Sequence, residues 1–301
     1  MNTQKHMEQH NLLSVITVNY NGYNDTCNLI ESWIDIIKSY PYELIIIDNG
    51  STIDEGRLIK EKFPQTIVHR SEKNLGFAGA NNIGIKMSKG NLLFFLNNDT
   101  IIIKDSLSIF INKLNENNIA GISPLILNND KDLSIQYAGY SKLSKISLRN
   151  KVIKKIDIAR ESNKTEFLHG AAMLFKKEAI NKVGLINEEY FLYYEELDWC
   201  EQFKKYGYDL YFEPSFCIIH KNGATIGIDS PKKAYYLSRN RLLFAYNNRN
   251  HNNLFFIISY HLLIAYPFHI IQALLNGKIK IAQAVIKGTI DFFKISRLLC
   301  L

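Results

Sequence analysis

Short apolar runs alternate regularly with segments of helical spacing along the first part of the chain, and this alternation constrains the fold most. The apolar runs occupy residues 12–18, 44–47, 67–68 and 92–96. Between and after them, apolar residues fall at the spacing of amphipathic helices in segments 25–39, 54–63, 79–88 and 104–117. Strands that alternate with helices predict an α/β fold with a mostly parallel central sheet. Because the strands are apolar throughout, we expect flanking helices on both faces of the sheet.

A polar cluster follows each of these predicted strands. The clusters are Asn19-Tyr20-Asn21-Gly22, Asp48-Asn49-Gly50-Ser51, Lys73-Asn74-Leu75-Gly76 and Asn97-Asn98-Asp99. Asn, Asp and Gly favour turns for local backbone reasons, so any one cluster could be a turn. In open α/β sheets, however, ligands bind beyond the carboxyl ends of the strands. Four clusters at one edge of the sheet therefore predict a shared ligand cleft.

Asp99 is the candidate metal ligand. It lies in LLFFLNNDT (92–100), where five apolar residues run into two amides, a carboxylate and a hydroxyl. A nucleoside diphosphate brings oxygen ligands of its own, so Mg²⁺ or Mn²⁺ needs only one or two protein carboxylates. His220, at the end of the predicted strand FCIIH, could ligate the metal or donate to a phosphate. The alternatives are a strand-terminal turn for Asp99 and a structural role for His220.

Further polar residues could contact a nucleotide. Asp48 can accept a hydrogen bond from the imide N–H of uracil or thymine, and Ser51 can cap the helix that follows. The alternative for this pair is an Asx-turn with an N-cap. The carboxamides of Asn74 and Asn82 offer neutral donors and acceptors near the same cleft. Arg239 could bind phosphate or lie on the surface of a helix.

The segment YFLYYEELDW (190–199) contains the candidate catalytic carboxylates. An aromatic run leads directly into Glu195, Glu196 and Asp198. Carboxylates this close repel one another, and a helix N-terminus offsets that cost. Capping alone would be satisfied by one or two acids, and burial among aromatic side chains raises the pKa of an acid toward the range of a general base. We therefore predict a catalytic role for this cluster, with capping as the alternative.

The C-terminal part differs in character from the rest. Residues 254–275 contain no Asp, Glu, Lys or Arg and are long enough to span a bilayer, but His261, His269, Gln272 and Pro267 oppose a span. Residues 278–299 are amphipathic and basic, which suits an anionic membrane surface. We expect attachment to a membrane surface or packing in an oligomer such as a homodimer. The alternative is a pair of helices packed on the catalytic domain. The expected organisation is a flexible N-terminus (1–11), a catalytic domain (12–230) and a helical region (231–301).

Composition and spacing disfavour several classes of protein. The net charge of +7 favours an anionic partner without selecting one. The four cysteines lack C-x-x-C spacing and the first residues lack an apolar signal-peptide core, so we expect a cytoplasmic protein without a zinc site or disulfide framework. A Walker NTPase is disfavoured because Ile85-Lys86-Met87 stands where the P-loop requires Lys-Ser/Thr. Gly76, Gly79 and Gly84 do not form the dinucleotide-binding G-x-G-x-x-G pattern either.

Taken together, these motifs resemble those of the family 2 inverting glycosyltransferases with the GT-A fold, and most closely the bacterial rhamnosyltransferase-like subgroup. The resemblance covers about residues 12–225, with the motifs in the expected order. The matching stretches are SVITVNYNG (14–22), IIIDNGS (45–51), NLGFAGANNIGI (74–85), FLNNDT (95–100), GAAMLF (170–175), FLYYEELDWC (191–200), GYDLYFEP (207–214) and HKNGAT (220–225).

The resemblance implies a nucleoside-diphosphate sugar donor, linked to dTDP or UDP. Asp99 falls on the metal carboxylate of the D-x-D-like motif, Asp48 on the base-binding position and His220 on the histidine near the diphosphate. The family's Glu-Asp pair falls on Glu195-Glu196, so Glu replaces Asp at 196 and either residue could be the base. The other candidate donor-binding residues are Asn19, Asn21, Ser51, Asn74, Gly76, Asn82, Asn98 and Arg239.

The implied reaction is inverting transfer of rhamnose or another hexose to a hydroxyl of a glycan in bacterial surface polysaccharide synthesis. The acceptor is expected on a lipid carrier at the inner face of the cell membrane, and no nucleic acid partner is implied. A sugar nucleotidyltransferase is one alternative, but its Gly- and Arg/Lys-rich loop after the first strand is replaced here by residues 19–22. A catalytically silent nucleotide-sugar-binding subunit is the other, and turnover assays would distinguish it.

Overall fold

The computed structural model describes residues 12–116, 118–155, 157, 160–221 and 230–296. In this part of the chain, ten strands form one sheet: β1 (Leu13–Asn19), β2 (Tyr42–Asp48), β3 (Ile67–Arg70), β4 (Leu92–Asn97), β5 (Thr100–Ile102), β6 (Ile119–Asn128), β7 (Ile135–Tyr137), β8 (Asn163–Lys164), β9 (Ala172–Lys176) and β10 (Asp209–His220). The strand order is β3-β2-β1-β4-β9-β6-β10-β5, with β7 beside β6 and β8 beside β10.

The four strands expected from the apolar runs form the parallel half of the sheet, β3-β2-β1-β4. Their register brings Asn19 beside Asp48 and Val18 beside Asn97, so the polar clusters meet at one edge. In the other half, β9 runs antiparallel to both β4 and β6, while β6 and β10 are parallel. The α/β fold with a central sheet and a helical C-terminal region is confirmed.

Helices lie on both faces of the sheet, as the apolar strands predict. They are α1 (Tyr23–Ile36), α2 (Glu55–Lys62), α3 (Gly76–Met87), α4 (Leu107–Asn112), α5 (Lys177–Val183), α6 (Glu195–Lys205), α7 (Pro231–Asn248), α8 (His251–Leu275) and α9 (Ile279–Ser296). Short 3₁₀ turns follow α4, at Lys113–Asn115, and precede α6, at Glu188–Tyr190. The four helices expected from spacing correspond to α1–α4.

Two apolar cores form on opposite faces of the sheet, and β4 contributes to both. Phe94 packs with Trp33 and Phe110 in one core, while Phe95 packs with Phe175 and Trp199 in the other. Because successive strand residues point to opposite faces, a strand covered on both sides must be apolar at every position. This explains the uninterrupted run at 92–96.

The C-terminal helices form a third core with residues that precede α6. Tyr190 and Tyr194 are buried there with Leu242, Phe244 and Phe292. The start of α7 is fixed by Ser230, whose side chain accepts from the backbone N–H of Lys233, and by a proline in the first turn. Helix α8 contains a π-helical turn at His261–Ala265, which ends just before Pro267, a residue that lacks a backbone N–H.

Much of α8 is apolar and exposed. Among the described residues, it is the one helix long and apolar enough to cross a membrane. Of the 18 residues that form its most apolar stretch, 22% are buried. Phe255, Leu263, Phe268 and Leu275 are among its exposed side chains. Its inner face, including Leu254, Ile257 and Tyr266, packs in the third core.

Candidate functional site

A cleft of about 300 Å³ opens at the edge where the parallel strands end. Five of the residues singled out from the sequence lie on its wall: Asn74, Gly76, Asn98, Asp99 and His220. The rest of the wall consists of Val18, Tyr20, Asn49, Phe77, Asn97, Phe191, Leu192, Tyr193 and Lys232. The ligand cleft expected at the strand ends is therefore present as a cavity.

Asp99 and His220 face each other in this cleft. The Asp99 Oδ1 atom lies 3.1 Å from His220 Nε2. The antiparallel pairing of β5 with β10 brings Thr100 opposite His220, and the N–H of Lys221 donates to the Asp99 carbonyl at 3.0 Å. His220 Nδ1 lies 2.9 Å from the Gln136 amide, which orients the ring and leaves Nε2 toward the carboxylate. Gln136 was not anticipated from the sequence, because no local signal links β7 to β10.

This pair fits a divalent cation that takes most of its ligands from a substrate. An aspartate oxygen and an imidazole nitrogen converge, and the amides of Asn97 and Asn98 adjoin them. Among the described residues, no group of three or more His, Cys, Asp or Glu side chains could hold a metal alone. Mg²⁺ commonly keeps one or two protein ligands and completes its shell with phosphate oxygens and water.

The asparagines at the end of β4 connect the cleft floor to α1. Asn98 Nδ2 donates to the hydroxyl of Thr26 at 3.0 Å, and the Thr26 hydroxyl donates to Asn19 Oδ1 at 2.7 Å. The N–H of Asn97 donates to the Ala171 carbonyl at 2.9 Å. The side chain of Asn98 therefore has a fixed position beside Asp99.

A second wall of the cleft is built by Asn49, Asn74 and Gly76. Asn49 donates to the Gly76 carbonyl at 3.1 Å and accepts from the N–H of Leu75 at 2.9 Å. Asn74 Oδ1 accepts from the N–H of Gly76 at 2.8 Å. Gly76 has φ +74°, and a Cβ there would collide with the Phe191 carbonyl. Asn74 and Gly76 were candidate donor-binding residues, whereas Asn49, which holds both in place, was indicated only as part of the cluster at 48–51.

Asp48 lies behind the cleft wall instead of on it. Its side chain is fully buried, and its oxygens accept from the N–H groups of Ser51 at 3.1 Å and Gly56 at 3.0 Å. Arg70 Nε lies 3.6 Å from the same carboxylate. The Asx-turn that the sequence left open is present, and the expected contact between Asp48 and a base stays a prediction. Both carboxylate oxygens are occupied by the turn and the start of α2.

Asn19, Asn21 and Ser51 also support the wall from behind. Asn19 is fully buried and donates to the buried carboxylate of Glu55 at 2.8 Å, a residue the sequence analysis did not single out. The Ser51 hydroxyl accepts from the N–H of Asn21 at 2.9 Å, and Asn21 Oδ1 accepts from the N–H of Thr52 at 2.8 Å. The structure thus brings these residues together as a network that shapes the loops.

An aromatic strap, defined here as residues 190–194, closes the cleft. Phe191, Tyr193 and Tyr194 all have positive φ, at 63°, 66° and 75°. Bulky residues rarely adopt this conformation, and such strain persists only where the surroundings enforce it, often at functional sites. Phe191 stacks on Tyr236, and the Nζ of Lys232 lies 5.6 Å from the Phe191 ring. Lys232, also missed by sequence analysis, brings a positive charge to the cleft.

Two neighbouring residues of α7 hold the strap. Asn240 is fully buried, and its amide donates to the carbonyls of Tyr190, Leu192 and Tyr193 at 2.7–2.8 Å. The guanidinium of Arg239 donates to the carbonyls of Glu189 and Tyr190, both at 2.7 Å. Arg239 therefore supports the strap and does not line the cleft, and its expected contact with the donor stays a prediction.

Asn82 is likewise a supporting residue. It is buried, donates to the Ile186 carbonyl at 2.9 Å and to the Glu188 carboxylate at 2.8 Å, and accepts from the N–H of Ile186. These bonds tie α3 to the turn that leads into the strap. Asn82 does not line the cleft, and its expected contact with the donor stays a prediction.

Glu195 and Glu196 begin α6 directly after the strap, behind the residues that line the cleft. Burial raises the pKa of Glu195 well above its usual range, and the charge of Glu196 adds to that effect. Burial also raises the pKa of Glu196, opposed by backbone N–H groups at the helix start. The Oε2 atoms of both residues are buried without a hydrogen-bond partner among the described residues. Glu196 is the less buried of the two and lies beside Gly170.

Asp198 is separated from this pair. It is buried, and Asn248 of α7 donates to its Oδ1 atom. Burial raises the pKa of Asp198, and hydrogen bonds from Asn248 and Tyr190 oppose that shift. The Asp198 carboxylate joins α6 to α7, and the expected catalytic role of Asp198 stays a prediction.

The comparisons with known proteins agree with this geometry. The sequence model of glycosyl transferase family 2 matches residues 14–184. The chain is 27% identical over 288 residues to the dTDP-rhamnosyl transferase RfbF of Shigella flexneri, covering 89% of this chain and 92% of that protein. It is 25% identical over 202 residues to the low-salt glycan biosynthesis hexosyltransferase Agl10 of Haloferax volcanii, covering 62% and 60%.

Solved structures show the same fold. GalNAc-T7 with UDP, GalNAc and Mn²⁺ superposes with a TM-score of 0.62 at 17% identity, over 87% of this chain and 58% of that one. The mannosyltransferase PcManGT of Pyrobaculum calidifontis, in complex with GDP-Man and Mn²⁺, superposes with a TM-score of 0.58 at 12% identity, over 94% and 87%. One stretch that carries the resemblance, HKNGAT (220–225), is described only in part, because residues 222–225 lie outside the described part of the chain.

The family model matches more than half of the chain, and the solved structures above share its fold. The chain therefore belongs to glycosyl transferase family 2 and has the GT-A fold.

Proposed function

We propose that this glycosyltransferase moves rhamnose or another hexose from a nucleoside diphosphate to a hydroxyl of a glycan, with inversion at the anomeric carbon. The observation that carries the proposal is the paired Asp99 and His220 in the strand-end cleft, with a strained strap leading to two buried glutamates. The relative named a dTDP-rhamnosyl transferase supports rhamnose and dTDP as the first sugar and nucleotide to test.

The donor occupies the cleft, with its diphosphate at the Asp99 end. Asp99 and His220 are the residues that would hold Mg²⁺ or Mn²⁺. When bound, the cation acts as a Lewis acid that neutralises charge on the departing diphosphate. Lys232 adds a positive charge on the opposite wall, next to Phe191. Asn49, Asn74 and Asn98 offer amide groups to the sugar or base without charge repulsion.

Glu196 is the general base. It takes the proton of the acceptor hydroxyl, whose oxygen forms a bond to the anomeric carbon as the bond from that carbon to the phosphate oxygen breaks. Of the two glutamates, Glu196 is the nearer to solvent, because the residue is partly exposed beside Gly170 whereas Glu195 is only 4% exposed. Glu195 and the strap hold Glu196 in position at the start of α6.

The acceptor is a glycan on a lipid carrier, and the protein works at the inner face of the cell membrane as a peripheral protein. The exposed apolar side chains of α8 and the basic residues of α9 support this location. Relatives named as transferases of dTDP-rhamnose and of low-salt glycan biosynthesis are consistent with surface glycan synthesis.

Transfer assays with matched variants test the proposal. Wild-type protein is incubated with Mn²⁺, lipid-linked glycan acceptors and dTDP-rhamnose, UDP-hexoses or GDP-hexoses, and both released nucleoside diphosphate and anomeric configuration are measured. We expect one donor to be used with inversion, and Asp99→Ala and Glu196→Gln to abolish transfer while folding is retained.

Asp132→Ala and Glu161→Gln are the controls, because both residues are exposed and neither lines the cleft. We expect these two variants to retain full activity. Full activity of Glu196→Gln would refute its assignment as the base, and a product with retained configuration would refute inversion.

A further inference from the structure

A second cavity, of about 420 Å³, lies between α7, α8 and α9. Arg149, from the segment that connects β7 and β8, closes one side of it. None of the residues described for the catalytic cleft lines this cavity. It is therefore a separate pocket within the C-terminal helical region.

The polar lining of this pocket is basic. Arg149, Arg241, His269 and Lys278 contribute to it, and among the described lining residues none is acidic. Arg149 Nη2 lies 3.0 Å from His269 Nε2, and Arg241 Nε donates to the Tyr194 hydroxyl at 2.7 Å. Burial together with the charges of Arg149 and Arg241 lowers the pKa of His269, so its ring is neutral at pH 7. The two guanidinium groups face a cavity without a carboxylate, an arrangement that suits an anion.

An apolar stripe runs along α8 directly beside the pocket. Phe268, Ile271 and Leu275 are 64%, 57% and 83% exposed. The next residue along the chain from each, namely His269, Gln272 and Asn276, lines the pocket. Because successive helix residues are offset by about 100° around the axis, the polar and apolar stripes lie side by side. A ligand with a charged head and a hydrocarbon chain matches both stripes.

We propose that this pocket binds the phosphate head of a single-chain lipid phosphate, whose hydrocarbon chain lies along Phe268, Ile271 and Leu275. Guanidinium groups are well suited to bind phosphate because they present several donors in a planar fork. A small inorganic anion would use only the basic lining and leave the apolar stripe exposed.

The pocket also contacts the strap. Arg241 holds the hydroxyl of Tyr194, the residue directly before Glu195, and the same hydroxyl donates to the Leu148 carbonyl at 3.2 Å. If the bound lipid is the carrier of the acceptor glycan, a role that rests on the proposed function, its head contacts Arg241, whose hydrogen bond to Tyr194 links the pocket to the strap. Binding of the lipid itself does not require sugar transfer.

Calorimetric titration of the full chain with farnesyl phosphate tests the inference. Farnesol, which lacks the phosphate, and inorganic phosphate, which lacks the hydrocarbon chain, are titrated for comparison. We expect farnesyl phosphate to bind more tightly than either, and excess dTDP with Mn²⁺ to leave its affinity unchanged. We expect Arg149→Ala to weaken binding by about tenfold, the loss of one charged hydrogen bond. Lys278→Ala is a second variant, and Lys280→Ala, exposed on α9 outside the pocket, is the charge-matched control.

Equal binding of inorganic phosphate or of farnesol would overturn the proposal, as would competition by dTDP or an equal loss of affinity in Lys280→Ala. These outcomes do not affect the proposed function, which depends on donor binding in the other cleft. Conversely, failure to transfer any sugar would leave binding of farnesyl phosphate as an independent result.

Discussion

Glu196 combines a raised pKa with the proposed role of general base, so its protonation should control the rate. Burial raises its pKa above the usual glutamate value of 4.5. A general base works only when it is deprotonated, and we therefore expect activity to fall on the acid side at a pH above 4.5. A pH–rate profile of kcat measures this, and an acid limb at or below 4.5 would contradict the assignment.

The raised pKa of Glu196 also affects the stability of the protein, which should fall as the pH rises whereas activity should increase. An acid whose pKa is raised by folding stabilises the folded protein below its unfolded pKa, and this contribution is lost as the pH rises through the folded pKa. Urea unfolding of wild type and Glu196→Gln across this range checks it. The variant should gain stability relative to wild type as pH increases, and a constant difference would contradict the shift.

Gly76 is required both by its backbone angle and by the approach of the strap. Its φ is +74°, and a Cβ would collide with the Phe191 carbonyl. We expect Gly76→Ala to destabilise the protein by more than the roughly 1–2 kcal/mol of a left-handed residue and to weaken nucleotide binding. Chemical denaturation and calorimetry measure the two effects.

Gly207→Ala is the matched control, because Gly207 has φ +83° and no atom within 4 Å of the Cβ position. Gly207→Ala should lose only the stability that a left-handed backbone conformation costs a residue with a Cβ, and it should bind nucleotide normally. Equal effects of the two substitutions would show that the approach of the strap to Gly76 is unimportant.

The place of a single residue in the cleft was predictable where a polar side chain follows a buried strand. Asp99 is such a residue, and it lies on the cleft wall. Asp48 and Asn49 show where such reasoning stops. Asp48 is the last residue of β2 and Asn49 follows it, but Asp48 is turned into the protein whereas Asn49 lines the cleft. Successive strand residues face opposite sides, and the sequence does not reveal which side bears the ligand.

At the scale of elements, the aromatic strap depends on α7. The Asn240 amide donates to three strap carbonyls. We expect Asn240→Ala to destabilise the protein by about 1–3 kcal/mol, the cost of leaving buried polar groups unpaired. We also expect Asn240→Ala to reduce kcat more than nucleotide affinity, because the strap positions Glu195 and Glu196 in the proposed mechanism.

Asn247→Ala is the control on the same helix, since Asn247 donates to the Tyr190 hydroxyl and not to the strap backbone. Steady-state kinetics and calorimetry of both variants measure the difference. A normal kcat in Asn240→Ala would contradict the positioning role of the strap.

The sequence did not predict the strap's backbone. Its aromatic and acidic composition indicated a functional segment, but positive φ is expected at glycine and asparagine, and none occurs at 190–194. The conformation is imposed by Arg239 and Asn240, about 50 residues away. Contacts so distant in sequence leave no local pattern.

At the scale of the whole molecule, periodicity was sufficient for the parallel half of the sheet and its helices. It could not give the second half, where β9 inserts antiparallel between β4 and β6, since that pairing joins segments far apart in the chain. The apolar composition of α8 likewise left three possibilities open, namely a span, a surface helix and an oligomer contact.

The packing of α8 supports the proposed peripheral attachment over a span. Its Tyr266 hydroxyl donates to the Ser238 carbonyl at 2.6 Å and its His261 is buried, so a transmembrane position would break contacts with α7. We expect alkaline carbonate to release the protein from bacterial membranes. Retention until detergent is added would indicate a span.

Nucleotide binding with and without metal tests the central claim most directly. Among dTDP, UDP and GDP, the tightest ligand is titrated calorimetrically into wild type, Asp99→Asn and the exposed-residue control Asp132→Asn, with Mn²⁺ or with EDTA. We predict that removing Mn²⁺ weakens binding to wild type and Asp132→Asn by at least about tenfold, and that Asp99→Asn binds equally weakly in both conditions. Unchanged wild-type affinity in EDTA, or full Mn²⁺ dependence in Asp99→Asn, would contradict a metal-assisted donor site at Asp99.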